Sequence, residues 1–292
     1  MPLKEELTKD LSQRFLFEES DIRGDIVQVR DGYRAMVARH DYPPVVQRLL
    51  GEFAVAGLLL GSTIKFKGRL ILQVRSQGQI PLLMVEVTHN NTFRGIARIL
   101  EQVDSENFAE LFESGTLVVT VDPEVGERYQ SLVPLSDGGL ASCLMHYFEQ
   151  SEQLQTWLML TADDHGAAGF LLQQLPRQLE KSDADRDIRW EHTRNLGESL
   201  KIEELRTLSV EQILIRLYHD QPLRLMAQNV VAFACTCSEE RMASALVSLG
   251  EAEIDDLFKD TKDVELTCEF CNQQYAFNRQ AIYALAGNAG TA

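Results

Sequence analysis

Positive charge is scarce in this 292-residue chain: 28 lysines and arginines stand against 44 aspartates and glutamates, for a formal net charge of −16. The summed field repels phosphate backbones, and no basic stripe reverses it locally, so nucleic acid is not expected as a partner. Long apolar runs are lacking too. The longest, around residues 53–60, falls far short of the ~20 residues that span a bilayer, and no membrane insertion is expected. Residues 1–7 (MPLKEEL) are charged and amphipathic, without the apolar stretch or small-residue cleavage site of a signal peptide, which argues against secretion. Signatures of catalysis are missing as well. The six histidines (His40, His89, His146, His165, His192, His219) are scattered, without an i, i+4 pair. Gly57 and Gly61-Ser62-Thr63 lack the lysine and spacing of a phosphate loop, and no G-x-S-x-G or G-x-G-x-x-G occurs. The chain is not expected to be an enzyme. Its five cysteines do not make a disulfide framework and suit a reducing compartment, with cytoplasm the default.

What is present is a sequence 45% hydrophobic and long enough for two domains. Residues 22–29 and 33–39 flank Asp31-Gly32 and read as a β-hairpin. Pro43-Pro44 opens an apolar helix over 45–60 that reads as buried on nearly every side. Strand patterns follow at 69–75, 82–88, 93–100, 116–121 and 128–133, then a helix over 139–153 and strands at 156–161 and 169–172. Runs of strands interrupted by isolated helices argue an α+β fold, a mixed β-sheet domain with packed helices over 1–176. Acids and bases crowd together between 180 and 206, with the sparse apolar residues Ile188, Trp190, Leu196, Leu200, Ile202 and Leu205. Such a helix is marginal alone and takes its order from docking, so 177–230 reads as a helical, charged, conditionally ordered linker. Ser209 with Gln212 makes a capping box for a helix through Tyr218. Residues 231–292 read as a small zinc-binding domain. Ser238 caps a helix with a stripe at Met242, Ala245, Leu246 and Leu249; a short helix covers 253–258, and strands 264–267 and 274–277 flank a knuckle. The end from 287 looks frayed.

That last domain carries the chemistry. Cys235 and Cys237 form a C-x-C pair and Cys268 and Cys271 a C-x-x-C pair, together a complete tetrahedral thiolate set for one zinc ion. One reading is a permanent structural zinc that lets a small domain fold. Another is a switch, because each pair can close into a disulfide when the metal leaves. An extended C-x-C spans up to ~7 Å, at the limit for a disulfide, so that bridge needs a bent backbone and is readily reduced again. A thiol–disulfide oxidoreductase built on Cys268 and Cys271 would lack its usual βαβ setting. Spacing alone leaves the structural and switching readings open. Cys143 falls on the apolar face of its helix with Leu140, Leu144, Tyr147 and Phe148, where cysteine packs as a small hydrophobe.

With the quartet in view, the whole chain resembles the redox-regulated heat-shock holdase chaperones, the bacterial 33-kDa heat-shock protein family. The resemblance runs through Asp21-Ile22-Arg23-Gly24, Gly51-Glu52, Gly68-Arg69-Leu70-Ile71-Leu72-Gln73 and Leu117-Val118-Val119-Thr120-Val121-Asp122-Pro123. It continues in Gly126-Glu127-Arg128-Tyr129-Gln130, Ser151-Glu152-Gln153-Leu154, Cys235-Thr236-Cys237-Ser238, Ser248-Leu249-Gly250 and Thr267-Cys268-Glu269-Phe270-Cys271. The family commonly has glycine where Ser131, Thr236 and Asn272 stand, and proline at Gln155. Thr236 restricts the bending that a Cys235–Cys237 bridge needs. The resemblance implies a protein whose reduced, zinc-bound form is inactive. Oxidation then forms Cys235–Cys237 and Cys268–Cys271 disulfides, releases one zinc per chain, unfolds the linker and exposes apolar surface to unfolded client proteins without ATP. It also implies a homodimer in the oxidised state. A constitutive zinc-module binding protein without switching is the alternative.

Overall fold

Alternating apolar positions start the fold: β1, Leu11–Phe17, and β2, Ile22–Val29, pair antiparallel and carry Phe15, Phe17 and Ile26 into one buried cluster. This computed structural model describes residues 10–64, 67–179, 182–259 and 261–289; the amphipathic 1–7 and the tail 290–292 lie outside them. The hairpin expected at Asp31-Gly32 does not form. Asp31–Val37 is instead a helix, α1, whose N-cap position, Arg30, has no side-chain cap. The reason lies 20 residues upstream, where the Asp10 carboxylate accepts the N–H groups of Arg30 (2.6 Å), Asp31 (3.0 Å) and Gly32 (2.5 Å). A distant carboxylate thus satisfies the open donors of a helix start and holds negative charge at the end that favours it.

Helix α2, Pro44–Thr63, begins on the expected proline and buries thirteen of its residues. It is longer than the apolar run alone suggested. By length and composition it could cross a bilayer, yet 72% of its apolar window is inside the protein, so here it is the core. Then come β3 (Gly68–Arg75), β4 (Leu82–Thr88), β5 (Thr92–Arg98), the short α3 (Phe108–Leu111), β6 (Thr116–Pro123) and β7 (Tyr129–Pro134). Helix α4 (Gly139–Tyr147), one π-helical turn (Phe148–Glu152), β8 (Thr156–Ala162) and β9 (Ala167–Gln174) follow, as expected in kind.

Three helices occupy the charged segment: α5 (Asp183–Glu198), α6 (Ile202–Thr207) and α7 (Val210–Tyr218), after which β10 (Leu223–Leu225), β11 (Asn229–Val230) and β12 (Ala232–Phe233) are short. One sheet has the order β10-β1-β2-β9-β8 with β11 also on β1, and the other β12-β5-β4-β3-β6-β7. Pairing is antiparallel except between β12 and β5. Helix α2 is packed against both, its Val46, Leu50, Phe53 and Leu59 sharing a cluster with Val27 and Leu171 of the first sheet and Leu72 and Val85 of the second. A Cβ on Gly169 would lie 2.4 Å from Val55 Cγ1, which measures how closely α2 rides on β9.

The opposite face of the first sheet is covered by α5–α7. Trp190, Leu200, Leu205, Ile213, Leu217 and Tyr218 are buried on Phe15, Phe17, Ile26, Phe170 and Leu172. Ile188 and Ile202, expected in the docking stripe, are 69% and 50% exposed, because the turn of α5 and the start of α6 point them outward. Polar clamps add direction. Gln28 Nε2 donates to the carbonyls of Leu205 (2.6 Å) and Leu208 (2.9 Å), and the Asp21 carboxylate accepts the N–H groups of Gln178 and Leu179. Arg206 pairs with Asp163. The segment 177–230 lies within a first compact unit that runs to Phe233.

The second unit begins at Ala234. It contains α8 (Glu239–Val247), α9 (Glu251–Leu257), β13 (Asp263–Thr267), β14 (Gln274–Asn278) and α10 (Arg279–Ala289). Ser238 caps α8 as expected, but the buried face is Ala243 and Leu246 with Met242 and Val247 beside them, while Ala245 and Leu249 are exposed. The face is set by α10, whose Ile282 meets Ala243, Leu246 and Phe277. Residues 287–289, expected to be frayed, are the last turn of α10.

Candidate metal centre

Each pair of cysteines is presented by backbone that the local sequence dictates. Cys235 and Cys237 lie in the extended stretch between β12 and the Ser238 cap of α8, where the Arg241 guanidinium donates to the carbonyl of Thr236 at 2.7 Å. Cys268 follows β13 directly, and Cys271 sits in the turn before β14. That turn is closed by Cys268 N–H to Gln273 O (2.9 Å) and Asn272 N–H to Cys268 O (2.8 Å). Asn272 has φ 56°, a left-handed conformation that explains why a glycine is at home there and why asparagine is a tolerable substitute. Thr236 is not among the described residues with positive φ.

The four Sγ atoms lie within 4.8 Å of one another. Cys235 and Cys268 approach to 3.7 Å, and Cys237 and Cys271 to 3.4 Å. A tetrahedral zinc with Zn–S near ~2.3 Å needs sulfurs about 3.8 Å apart, so the donor set fits a four-thiolate ion in size as well as chemistry. All four are free thiols, Cys268 buried and the others half-buried. Crowded sulfur without a cation resists ionisation. Burial, reinforced by Cys237, Cys235 and Cys268 and opposed by a backbone N–H, pushes the Cys271 thiol up to about 12. Burial also raises Cys268, against the N–H groups of Phe270 and Cys271. A divalent cation held among these sulfurs would favour their thiolate forms.

The sequence located all four sulfurs, and none of the six histidines joins the group. It missed two supports, Arg241 at Thr236 and the Tyr275 hydroxyl, which donates to Cys237 Sγ at 3.1 Å. Alternation along 274–277 held the signal for the second, since Tyr275 and Phe277 share a strand face and Phe277 is buried. Cys143 is apart from the quartet in the core of the first unit, fully buried, its sulfur accepting the N–H of Ser136 at 3.2 Å.

The sequence matches the family described as Hsp33 protein over residues 10–278. Among curated relatives, the 33 kDa chaperonin of Pseudomonas paraeruginosa is 43% identical over 285 residues, covering 97% of this chain and 96% of that protein. The 33 kDa chaperonin of Azotobacter vinelandii is 45% identical with the same coverage. The crystal structure of the 33 kDa chaperonin of Thermotoga maritima matches 97% of this chain and 100% of its own with a TM-score of 0.78; at 22% identity it speaks for the fold. On this evidence of sequence and architecture together, the chain belongs to the Hsp33 family.

Proposed function

We propose that this protein is a redox-regulated, ATP-independent chaperone of the holdase type, acting without catalysis in the cytoplasm on unfolded or partly unfolded client proteins. The observation that carries the switch is the quartet itself: two dithiols, each with its partner within three residues in sequence, gathered within 4.8 Å. Zinc bound to Cys235, Cys237, Cys268 and Cys271 ties the two segments together and keeps the sulfurs as thiolates. Hydrogen peroxide removes two electrons from each dithiolate; two peroxides, four thiolates and four protons taken from solvent give two disulfides, Cys235–Cys237 and Cys268–Cys271, and four waters. Sulfur in a disulfide no longer serves as a ligand, and a module with a core as small as Ala243, Leu246, Phe277 and Ile282 does not hold without its cross-link. Disorder then passes along the chain into 177–230. The helices α5–α7 leave the first sheet and uncover Phe15, Phe17, Phe170 and Leu172, an apolar face for clients and, in the active form, for assembly as a homodimer.

The test is to treat the reduced protein with peroxide at mild heat while following metal release, free thiols and aggregation of a heat-unfolded client. Release of one zinc per chain with onset of suppression is expected, and retained metal with unchanged suppression refutes the reading. Close Sγ approaches link one pair to the other, Cys235 to Cys268 at 3.7 Å and Cys237 to Cys271 at 3.4 Å, as a shared ion requires, and this is compatible with a second reading, a closed structural zinc module that never switches. The same experiment separates the two.

A further inference from the structure

Hydrogen bonds to the four sulfurs come from different sources. Cys268 receives the backbone N–H groups of Phe270 and Cys271, and Cys271 that of Gln273, donors that come with any knuckle turn. Cys237 receives a side chain instead: the Tyr275 hydroxyl, 3.1 Å from its sulfur across 38 residues of sequence. The tyrosine is well held. It lies in β14, paired with Leu266 of β13, and its ring is stacked at 6.4 Å, 16° from parallel, on Phe277, which is 2% exposed. Nothing in the packing requires an oxygen there, since a phenylalanine would fill the same space.

The geometry points to Tyr275 as a positioning residue that restrains the oxidation of Cys237. The inference rests on the metal-binding, oxidant-responsive reading of the quartet. In the restrained step the Cys237 thiolate attacks one oxygen of hydrogen peroxide. An S–O bond forms as the O–O bond breaks, sulfur gives up two electrons, and the departing hydroxide takes a proton to leave as water. The sulfur lone pair that begins this attack is the one drawn toward the Tyr275 hydroxyl, so the bond must be given up before the reaction proceeds. A zinc-held thiolate shares its charge with the ion, so the bond counts as an ordinary one, about 1 kcal/mol, or about fivefold in rate. The same bond fixes the direction of the sulfur in its site, as outer partners of metal ligands do.

The experiment compares full-length wild type and Tyr275→Phe, each loaded with zinc for peroxide kinetics and with cobalt(II) for spectroscopy. Time-resolved differential alkylation with mass spectrometry gives the loss of each thiol, and the ratio of Cys237 to Cys268 is taken within the same molecules. The variant is expected to raise that ratio about fivefold. It should also move the thiolate-to-cobalt charge-transfer band to lower energy, because an unbonded sulfur is the better electron donor. A purely structural role would speed all four thiols together and leave the ratio alone, and that result, or an unchanged ratio and band with metal bound in both proteins, overturns the inference. If wild type takes up neither metal, the metal reading itself fails and takes this one with it.

Discussion

Tyr218 is where the proposed masking of the first sheet is most open to attack. It is 1% exposed, its ring stands edge-on to Phe17 at 5.0 Å and tilted to Phe15 at 6.4 Å, and its hydroxyl donates to Thr193 O at 3.1 Å. Burial raises the hydroxyl far above its ordinary pKa, so it stays a neutral donor throughout the working range. One side chain thus joins α7 to α5 and both to the sheet. Truncation of a buried aromatic costs about 3–5 kcal/mol, and loss of the hydrogen bond to the Thr193 carbonyl adds about 1 kcal/mol. At about 1.4 kcal/mol per factor of ten, even the lower figure raises the undocked population more than about a hundredfold. Tyr218→Ala, reduced and zinc-loaded, should therefore exchange amide hydrogens in α5–α7 about a hundred times faster and suppress client aggregation without any oxidant. Tyr218→Phe keeps the ring, loses the hydrogen bond, and should show only about a fivefold change. Hydrogen exchange by mass spectrometry and light scattering of a heat-unfolded client read both. Helices loosened by Tyr218→Ala with no gain in suppression would refute the assignment of the covered face as the adhesive one.

Gln28 Nε2 donates to the carbonyls of Leu205, buried, and Leu208, half-buried, so Gln28→Leu loses two hydrogen bonds; about 2 kcal/mol should be lost from docking of α6, read as faster exchange confined to α5–α7. Glu52 is pushed up to about 7 by burial, against the opposing charge of Arg48. Its contribution to stability is whole below the unfolded value near ~4.3 and is lost as pH rises through the folded one, so at alkaline pH the ionised group carries a penalty of at most about 4 kcal/mol. Glu52→Gln removes it: urea midpoints of variant and wild type should lie close at about pH 4.5 and separate toward about pH 8, the variant higher. Stripping zinc with a strong chelator under reducing conditions should collapse the helix and hairpin signals of 234–292, consistent with an apparent metal contribution of about 10–16 kcal/mol, while near-ultraviolet signals from the α2 core persist.

The quartet was legible because thiolate chemistry writes its spacing into short local pairs, and α2 because its apolar residues and leading Pro44 are contiguous. Where partners lie far apart in sequence, local pattern misleads. Asp31-Gly32 has the composition of a tight turn, but Asp10 converts it to a helix start. The face of α8 was misjudged by about one residue because α10 decides it, and α10 itself, with Ile282 as its anchor, has too little apolar pattern to announce a helix. In the charged segment, Trp190 and Leu205 were legible as anchors, whereas the exposure of Ile188 and Ile202 depends on the angle at which α5 and α6 meet the sheet. Tyr275 was hidden for a further reason: its importance lies in an oxygen atom aimed at a sulfur, and side-chain alternation reports only the face.

The strands β10, β11 and β12 have a mechanical consequence. They baste the rim of both sheets with stitches of three, two and two residue pairs: β10 and β11 on β1, β12 on β5. A disturbance arriving at Ala234 meets the two-pair stitch first, pinned mainly by Phe233 edge-on to Phe93 and beneath the Arg39 guanidinium. It then reaches the next two in turn. None of the three belongs to the long β2–β9 seam, where eight residue pairs run without a break. On the proposed switch, loss of order that starts at the metal centre would run through these short stitches first and meet the eight-pair seam last.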